Sequence, residues 1–386
     1  NVDNITEDLA VFAYNNFDYE PLLYKNLTNA NFSMQGNVWA EIAFTYANVI
    51  MDRDKHFLKG GITLKYLKGV ASAYSFVRDL NYRFDGSDTL SLFQSKVNYG
   101  ITSNFDDGGI DFFNRVSDPG VGLDLGFVYE YRPDIDKFRY SIDGKDNLIR
   151  PDKNKYLFRI GVALLDFGKI NYLKGDYSQD FVADIQDWDI SELGINSIYD
   201  VNEILRNQFD FDENVKQNFL MNLPAAISIQ ADYNFAKDFY VNFSPYFALK
   251  QGTNITTKTH NFTTYSLTPS YDSKWFGVAL PLQADEYGRF RAGIGLRLGA
   301  FWIGSNSIFT NVIGKEVYAT DFYFMAKIPI FKNIEKDDDR DGVSNEFDQC
   351  PGSPGSWQLH GCPDTDGDGI ADQKDICPDK PGPEAL

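Results

Sequence analysis

Most of the chain between Gly36 and Phe331 alternates apolar and polar residues with a period of two rather than 3.6. In residues 289–298 one face is apolar, with Phe290, Ala292, Ile294, Leu296 and Leu298. The same alternation occurs in 38–50, 62–68, 121–132, 156–165, 227–235, 239–250 and 274–285. Successive side chains of a strand point to opposite faces, so the pattern predicts strands with one apolar and one polar face.

The length of these segments indicates the class of fold. Several contain ten or more residues, which is longer than an average soluble strand and sufficient to cross a bilayer at a tilt. Their polar faces carry Arg, Asp, Asn and Gly, which suit a lumen if the apolar faces contact lipid. We therefore predict an all-β fold, a transmembrane antiparallel β-barrel of about 14 strands over residues 36–331. A large soluble β-sandwich or adhesin module is the alternative.

Two segments lie outside this pattern. Residues 185–216 contain a stretch whose apolar residues fall on one helical face, namely Ile198, Val201, Ile204, Leu205 and Phe209. We predict a partly helical loop here, either an ordered extracellular loop or a plug that folds into the lumen. Residues 1–35 precede the barrel and are predicted to form a periplasmic or luminal segment.

Composition excludes several classes of protein. The 36 basic and 55 acidic residues give a net charge of −19, so a nucleic-acid partner that needs a basic surface is excluded. No apolar stretch reaches the length of a transmembrane helix. The three histidines are isolated, and neither a nucleophile elbow nor a zinc-binding helix motif is present. We therefore expect no enzymatic activity.

Residues 337–378 contain two copies of an acidic frame in which carboxylates occupy positions 1, 3, 5 and 12 and Gly occupies position 6. Ca²⁺ takes six to eight oxygen ligands, and the Gly permits the sharp turn that directs them inward. The predicted ligands of the first ion are Asp337, Asp339, Asp341, Asp348 and the carbonyl of Val343. Those of the second are Asp364, Asp366, Asp368, Asp375 and the carbonyl of Ile370. Position 12 is Asp followed by Cys-Pro, which differs from a standard EF-hand; an acidic disordered linker is the alternative.

The frame Asp-x-Asp-x-Asp-Gly-x-x-(Asp/Asn)-x-x-Asp-x-Cys-Pro resembles the thrombospondin type 3 repeat. We assign residues 332–386 to such calcium-binding repeats. A long barrel followed by these repeats resembles the OmpA-family proteins of Bacteroidota-type Gram-negative bacteria, and residues 272–282 and 296–306 resemble a barrel family of that group without assigned chemistry. In OmpA-family proteins a periplasmic domain beyond the repeats binds peptidoglycan, and that domain is not within this sequence.

This resemblance implies an outer-membrane structural anchor that links the membrane to peptidoglycan, with its repeats in the periplasm. The implied partners are outer-membrane lipid, peptidoglycan and other outer-membrane proteins of a larger complex, such as the barrel-assembly machinery, of which the chain would be an accessory subunit. The alternative is transport, through a FadL-like or porin-like channel.

The cysteines favour an exported protein from which a secretory signal has been removed. All three lie in the Pro/Gly/Asp-rich C-terminal segment, with no His at zinc spacing. Cys350 and Cys362 are expected to form a disulfide between the two calcium frames. The partner of Cys377, by the same spacing of 12, would fall at position 389, so we expect the full protein to continue past Leu386.

Overall fold

The computed structural model describes residues 2–15, 18–106, 109–110, 115–191, 198–211, 217–249, 259–314, 317, 319–326 and 335–382. Strands dominate these parts of the chain, and all the strand pairs are antiparallel. The predicted all-β class is therefore confirmed. None of the described helices is both long and apolar enough to cross a membrane.

The described residues form 22 strands and three α-helices. The first strands are β1 (Val2–Asp3), β2 (Leu27–Arg53), β3 (His56–Phe84), β4 (Thr89–Ile101), β5 (Phe105–Asp106), β6 (Gly109–Ile110), β7 (Gly120–Tyr131), β8 (Arg139–Ile142), β9 (Lys145–Ile149), β10 (Phe158–Leu173) and β11 (Gln179–Asp189). The others are β12 (Asn218–Asn222), β13 (Ala226–Ala236), β14 (Phe239–Phe243), β15 (Tyr246–Ala248), β16 (Thr264–Asp272), β17 (Phe276–Ala279), β18 (Leu282–Asp285), β19 (Phe290–Ala292), β20 (Ile294–Leu298), β21 (Phe301–Ser305) and β22 (Tyr323–Ala326). The helices are α1 (Glu7–Tyr14), α2 (Ile198–Gln208) and α3 (Ile308–Ile313), and short 3-10 turns occupy Glu20–Leu22, Ile135–Phe138 and Trp357–Leu359.

Eighteen of the strands form one sheet. At four places, two consecutive strands continue in the same direction across a short gap, and we count each such pair as one strand path. The gaps contain Pro224, Pro245, Pro281 or Gly293, and separate β12 from β13, β14 from β15, β17 from β18, and β19 from β20. Proline has no backbone N–H to donate to the ladder, and glycine weakens a strand interior. The pairing register is the same on both sides of each gap. The eighteen strands therefore follow fourteen paths, one of which is the two-residue β1 that precedes the segment predicted to form the barrel.

The strand β3 divides the sheet into two parts. Its first half pairs with β7 and its second half pairs with β4. We call the ladder β2–β3–β7–β10 and β12–β22 the main sheet. We call the far halves of β2 and β3, with β4 and β11, the sheet extension. The buried core lies where the extension meets the main sheet, and consists of Leu67, Tyr74, Phe76, Val116, Ile170, Tyr172, Phe219, Met221 and Leu223.

The helix predicted within 185–216 is present as α2 and packs on the sheet extension. Its C-terminal neighbour Phe209 is buried and stacks on Phe181 of β11, with ring centroids 5.0 Å apart. Residues 192–197 and 212–216 of the same predicted loop lie outside the described residues. The N-terminal helix α1 packs on the extension too, where Phe12 contacts Phe84 at 4.8 Å between centroids.

The two ends of the main sheet differ in their connections. At one end, turns of two or three residues join β2 to β3, β13 to β14, β16 to β17 and β20 to β21; we call this the short-turn end. The extension, α1 and α2 lie at the opposite end. Because Ala326 pairs with Phe301, the strand β22 ends at the short-turn end, on the side from which the chain continues to the repeats. The remainder of the predicted last strand, 327–331, lies outside the described residues.

Candidate functional site

The apolar side chains of the main sheet lie on an exposed face. Phe44 is 70% exposed and Leu298 is 64% exposed. The other exposed apolar residues of this face include Ile42, Tyr46, Leu64, Tyr66, Val121, Phe127, Val162, Phe243, Leu267, Leu282, Leu296, Phe301, Ile303 and Phe324. We call this set the apolar belt. Water-soluble proteins rarely expose an apolar surface of this extent without a partner.

Strand pairing makes the apolar belt continuous. Residues directly opposite each other on antiparallel strands share a face. Phe44 pairs with Leu64 on β3, and Leu64 pairs with Leu123 on β7. Farther along the sheet, Leu267 of β16 pairs with both Phe243 and Leu282. At the last strands, Leu296 pairs with Ile303, which pairs with Phe324 of β22. The belt thus crosses the main sheet from β2 to β22.

The opposite face of the main sheet carries charged residues that are partly or fully buried. The Lys65 side chain is only 9% exposed, and its Nζ lies 3.0 Å from Asp124 Oδ2 and 2.5 Å from Asp166 Oδ1. Near the other edge, the Asp285 side chain is 3% exposed and pairs with Arg289 at 2.8 Å. Buried charges require such partners, because desolvation of an isolated ion is costly. The sheet therefore reverses the usual arrangement of apolar interior and charged surface.

The Arg297 side chain stabilises the β16–β17 turn at the short-turn end by hydrogen bonds. Its guanidinium donates to Asp272 Oδ1 at 2.6 Å and to the carbonyl of Gly299 at 2.9 Å. It also donates to the carbonyl of Ser273. Arg297 lies on the polar side of the alternation in residues 289–298, a pattern that does not indicate this role in the turn.

The two acidic frames of the C-terminal segment have the same internal hydrogen bonds. In the first, Asp337 Oδ2 accepts from Gly342 N at 3.0 Å and Asp341 Oδ1 accepts from Val343 N at 2.8 Å. The equivalent bonds of the second frame run from Gly369 N to Asp364 Oδ2 and from Ile370 N to Asp368 Oδ1, both at 2.9 Å. The glycines at position 6 both have φ +90°, a backbone conformation that other residues rarely adopt.

These loops bring three of the predicted carboxylates together in each frame. Ligand oxygens of Asp337, Asp339 and Asp341 all lie within 4.8 Å of one another, and the same holds for Asp364, Asp366 and Asp368. Burial, followed by repulsion from the Asp341 carboxylate, raises the pKa of Asp339, and Asp348 adds to this repulsion. Burial and the neighbouring carboxylates, including Asp375, raise the pKa of Asp366 in the same way. A cation at each frame would relieve this repulsion.

Several of these oxygens are buried without a hydrogen-bond partner. Asp348 is 9% exposed, and its Oδ2 has no partner among the described residues. The same is true of Oδ2 of Asp339 and Oδ2 of Asp366. Buried polar atoms normally have partners, and a bound cation would satisfy these three carboxylate oxygens. Val343 is fully buried, whereas Ile370 is 45% exposed. The backbone carbonyls of both residues remain predicted ligands.

The first acidic frame is docked on the β8–β9 hairpin, a contact that sequence reasoning missed. Asp143 N donates to the Gly342 carbonyl at 2.9 Å, and Asp143 Oδ1 accepts from Ser344 N at 2.8 Å. A Cβ on Gly144 would come within 2.7 Å of the Trp357 indole nitrogen, so the repeat sits directly on the turn. Burial opposes ionisation of Asp143, but the hydrogen bonds it accepts outweigh burial and lower its pKa. We call this contact the clasp.

We expect Asp143→Ala to weaken the clasp. The substitution leaves the buried Ser344 N–H without its acceptor, which costs about 1–3 kcal/mol. The expected result is faster proteolysis within 335–382 and a lower urea midpoint for the repeats. Asp143→Asn retains an acceptor oxygen and should be much closer to the parent chain. Equal protease resistance of Asp143→Ala and the parent would contradict the role of the clasp.

The predicted disulfide between Cys350 and Cys362 is present. It lies beside the buried Ala371, and Leu359 packs against this small cluster. Cys377 is exposed and has no disulfide partner within the described residues. The disulfide therefore links the end of the first acidic frame to the start of the second.

Comparisons with known proteins give a family but no described relative. No curated protein matches the chain, and no solved structure matches it. One family model matches residues 1–306, which extend from the N-terminal segment through β21 and end before the repeats. That family is described only as a family of unknown function, and by this match the chain belongs to the DUF5723 family.

Proposed function

We propose that this protein is an outer-membrane structural anchor whose main sheet closes into a transmembrane β-barrel. The observation that carries the proposal is the apolar belt, which is exposed on one face while paired charges occupy the other. A lipid environment would cover the belt, and the charged face would line the lumen. Strand lengths agree, since β16 has nine residues, and a tilted membrane strand needs about 9–11.

Four of the five strand connections at the short-turn end, all except the one that carries the β8–β9 hairpin, support one orientation. In outer-membrane barrels the short turns face the periplasm and the long loops face outward. The repeats follow β22 at the short-turn end and contact the β8–β9 hairpin there, and this rule supports a periplasmic location for them. The extension and α1 lie at the other end. For residues 1–35, the rule therefore does not support a periplasmic location and leaves the luminal alternative.

The repeats would act as the periplasmic part of the anchor. Ca²⁺ is the proposed cofactor, because two loops converge three carboxylates each and bury oxygens that lack partners. Peptidoglycan is the proposed partner, through the OmpA-like domain that the family resemblance places beyond the repeats. Other outer-membrane proteins would be partners if the chain serves as an accessory subunit of a complex such as the barrel-assembly machinery.

A porin-like channel is the second candidate. The group of Lys65, Asp124 and Asp166 supports it, because these charges line the face that would surround a lumen. A liposome-swelling assay separates the candidates: an anchor leaves liposomes impermeable to small sugars, whereas an open pore makes them swell. Cosedimentation of the full protein with purified peptidoglycan provides the complementary measurement.

The orientation can be tested with two engineered cysteines in turns at opposite ends of the main sheet. Glu286 lies in the turn between β18 and β19, and Lys237 lies in the turn between β13 and β14. We expect a bulky membrane-impermeant maleimide to label Glu286→Cys on intact cells. It should label Lys237→Cys only after the outer membrane is permeabilised.

The parent chain, with its native cysteines, is the control for background labelling. The reverse pattern would overturn the orientation. Equal labelling of both variants on intact cells would overturn the membrane-spanning sheet itself.

A further inference from the structure

An apolar chamber lies between α2 and the sheet extension. Its volume is about 700 Å³, within the range of about 300–1,000 Å³ that is typical of small-molecule sites. Val201 and Leu205 of α2 line one side, and residues of β2, β3, β4 and β11 line the other. Among the described residues around it, none is charged. A cavity with this lining favours an apolar ligand.

Two contacts hold α2 away from the sheet and keep the chamber open. Near the start of the helix, the Tyr99 hydroxyl donates to Asn202 Oδ1 at 3.1 Å, and both residues are buried. At the other end, Phe209 stacks on Phe181 and meets the Trp188 ring edge-on at 5.7 Å. The large aromatic rings act as spacers, so α2 cannot descend onto the strands.

The sheet beneath α2 carries small side chains at the positions that would otherwise fill this space. Gly36 pairs directly with Ala73, and Ser75 follows on the same face of β3. On β11 the corresponding lining residue is Ala183, which is 1% exposed. Protein interiors are normally close-packed. The chamber is present because this sequence has small residues at these positions of the sheet.

The chamber and the apolar belt share one face of β2. Met34 lines the chamber and is 53% exposed, Val38 is 49% exposed, and Ile42 belongs to the belt. The register shift between Val38 and Trp39 adds Val70 on β3, so β2 keeps its own alternation and its even-numbered residues from 34 to 42 lie on one face. An apolar path therefore leads along β2 from the belt to the chamber.

We propose that the chamber binds one long acyl chain, which enters from the membrane along β2. The inference rests on the proposed function, since the path begins at a belt in contact with lipid. An unbranched hydrocarbon chain matches a lining without charges, and it can come from a free fatty acid or from a phospholipid. The aromatic spacers keep the site formed before the chain arrives.

The test uses the full chain in phospholipid nanodiscs with two photoactivatable probes. One is palmitate carrying a diazirine, and the other is phosphatidylcholine carrying the same chain. We expect labelling of peptides from α2 that excess unlabelled palmitate or lipid reduces at least about ten-fold. The probe that gives this competed labelling identifies the source of the chain. Absence of competed labelling with both probes overturns the inference.

Labelling of the belt separates this inference from the proposed function. Bulk lipid should label belt peptides such as those containing Leu267 without competition. A labelled belt with no competed labelling of α2 overturns only the chamber site. An unlabelled belt overturns the proposed function, and with it the route along β2.

Three variants test the location of the site. Ala183→Leu fills the chamber and should reduce competed labelling at least about ten-fold. Ala231→Leu adds the same side chain on the outer face of β13 and should be labelled like the parent. Leu205→Ala enlarges the chamber without blocking it, so it should retain the labelling even if Ala183→Leu proves unstable. Undiminished labelling of folded Ala183→Leu, or loss in Leu205→Ala that keeps the parent's melting temperature, overturns the assignment.

Discussion

Leu267→Arg is expected to destabilise the membrane-assembled protein by about 2–4 kcal/mol, the usual cost of an arginine on the lipid face near the bilayer midplane. Leu267 is 43% exposed and pairs with two other exposed belt residues, Phe243 and Leu282. The arginine would therefore enter the middle of the apolar belt. Urea titration of the protein refolded into liposomes measures the change in the free energy of unfolding.

Ser266→Arg is the matched control, since the neighbouring residue of the same strand faces the other way. It pairs with Gln283 rather than with an apolar side chain. We expect its cost to be well below that of Leu267→Arg. Equal costs, or a larger cost for Ser266→Arg, would show that the belt does not face lipid.

Calcium titration of the full chain is expected to give two bound ions per molecule, and Asp339→Asn is expected to give one. Asp339 belongs to the first carboxylate group, and its Oδ2 is buried without a partner in the described structure. At a free calcium concentration 100 times Kd, each ion stabilises the folded repeats by about 2.7 kcal/mol. Isothermal titration calorimetry gives the stoichiometry, and proteolysis within 335–382 reports the stability with calcium and with chelator.

Glu346→Gln is the control for this measurement, because it removes one negative charge from the same repeat without removing a predicted ligand. It should retain two ions. One ion in the parent chain, or two ions in Asp339→Asn, would contradict the proposed site. Identical proteolysis with and without chelator would contradict a structural role for calcium.

Local signals allowed much of the fold to be predicted from the sequence. The alternation in residues such as 289–298 shows which side chains share a face of the strand. Because paired strands keep their apolar side chains on the same face of the sheet, this local pattern predicts the two faces of the whole sheet. The helix α2 was predicted because its apolar residues recur at helical spacing, and Phe209 is buried as that spacing requires. The convergence of the carboxylates in the two acidic frames could be predicted because each set of predicted ligands lies within about a dozen residues of chain.

Long-range contacts could not be predicted. The Asp143-Gly144 pair is a recognisable hairpin signal, yet nothing in it indicates a partner at Ser344, which is 201 residues away. The alternation of apolar and polar residues in β3 likewise does not indicate that its first half pairs with β7 and its second half with β4. The chamber under α2 depends on Gly36, Ala73 and Ala183, which come from three different strands.

The clasp determines where a mechanical load on the C-terminal segment would enter the sheet. Within the described residues, β22 is joined to β21 by only four residue pairs, which a pull along the chain would peel apart in succession. The clasp instead holds the first repeat to a hairpin that connects β7 and β10, which share ten residue pairs. Tension arriving through the repeats would therefore be carried in shear by two interior strands, and the terminal strand would be relieved of it.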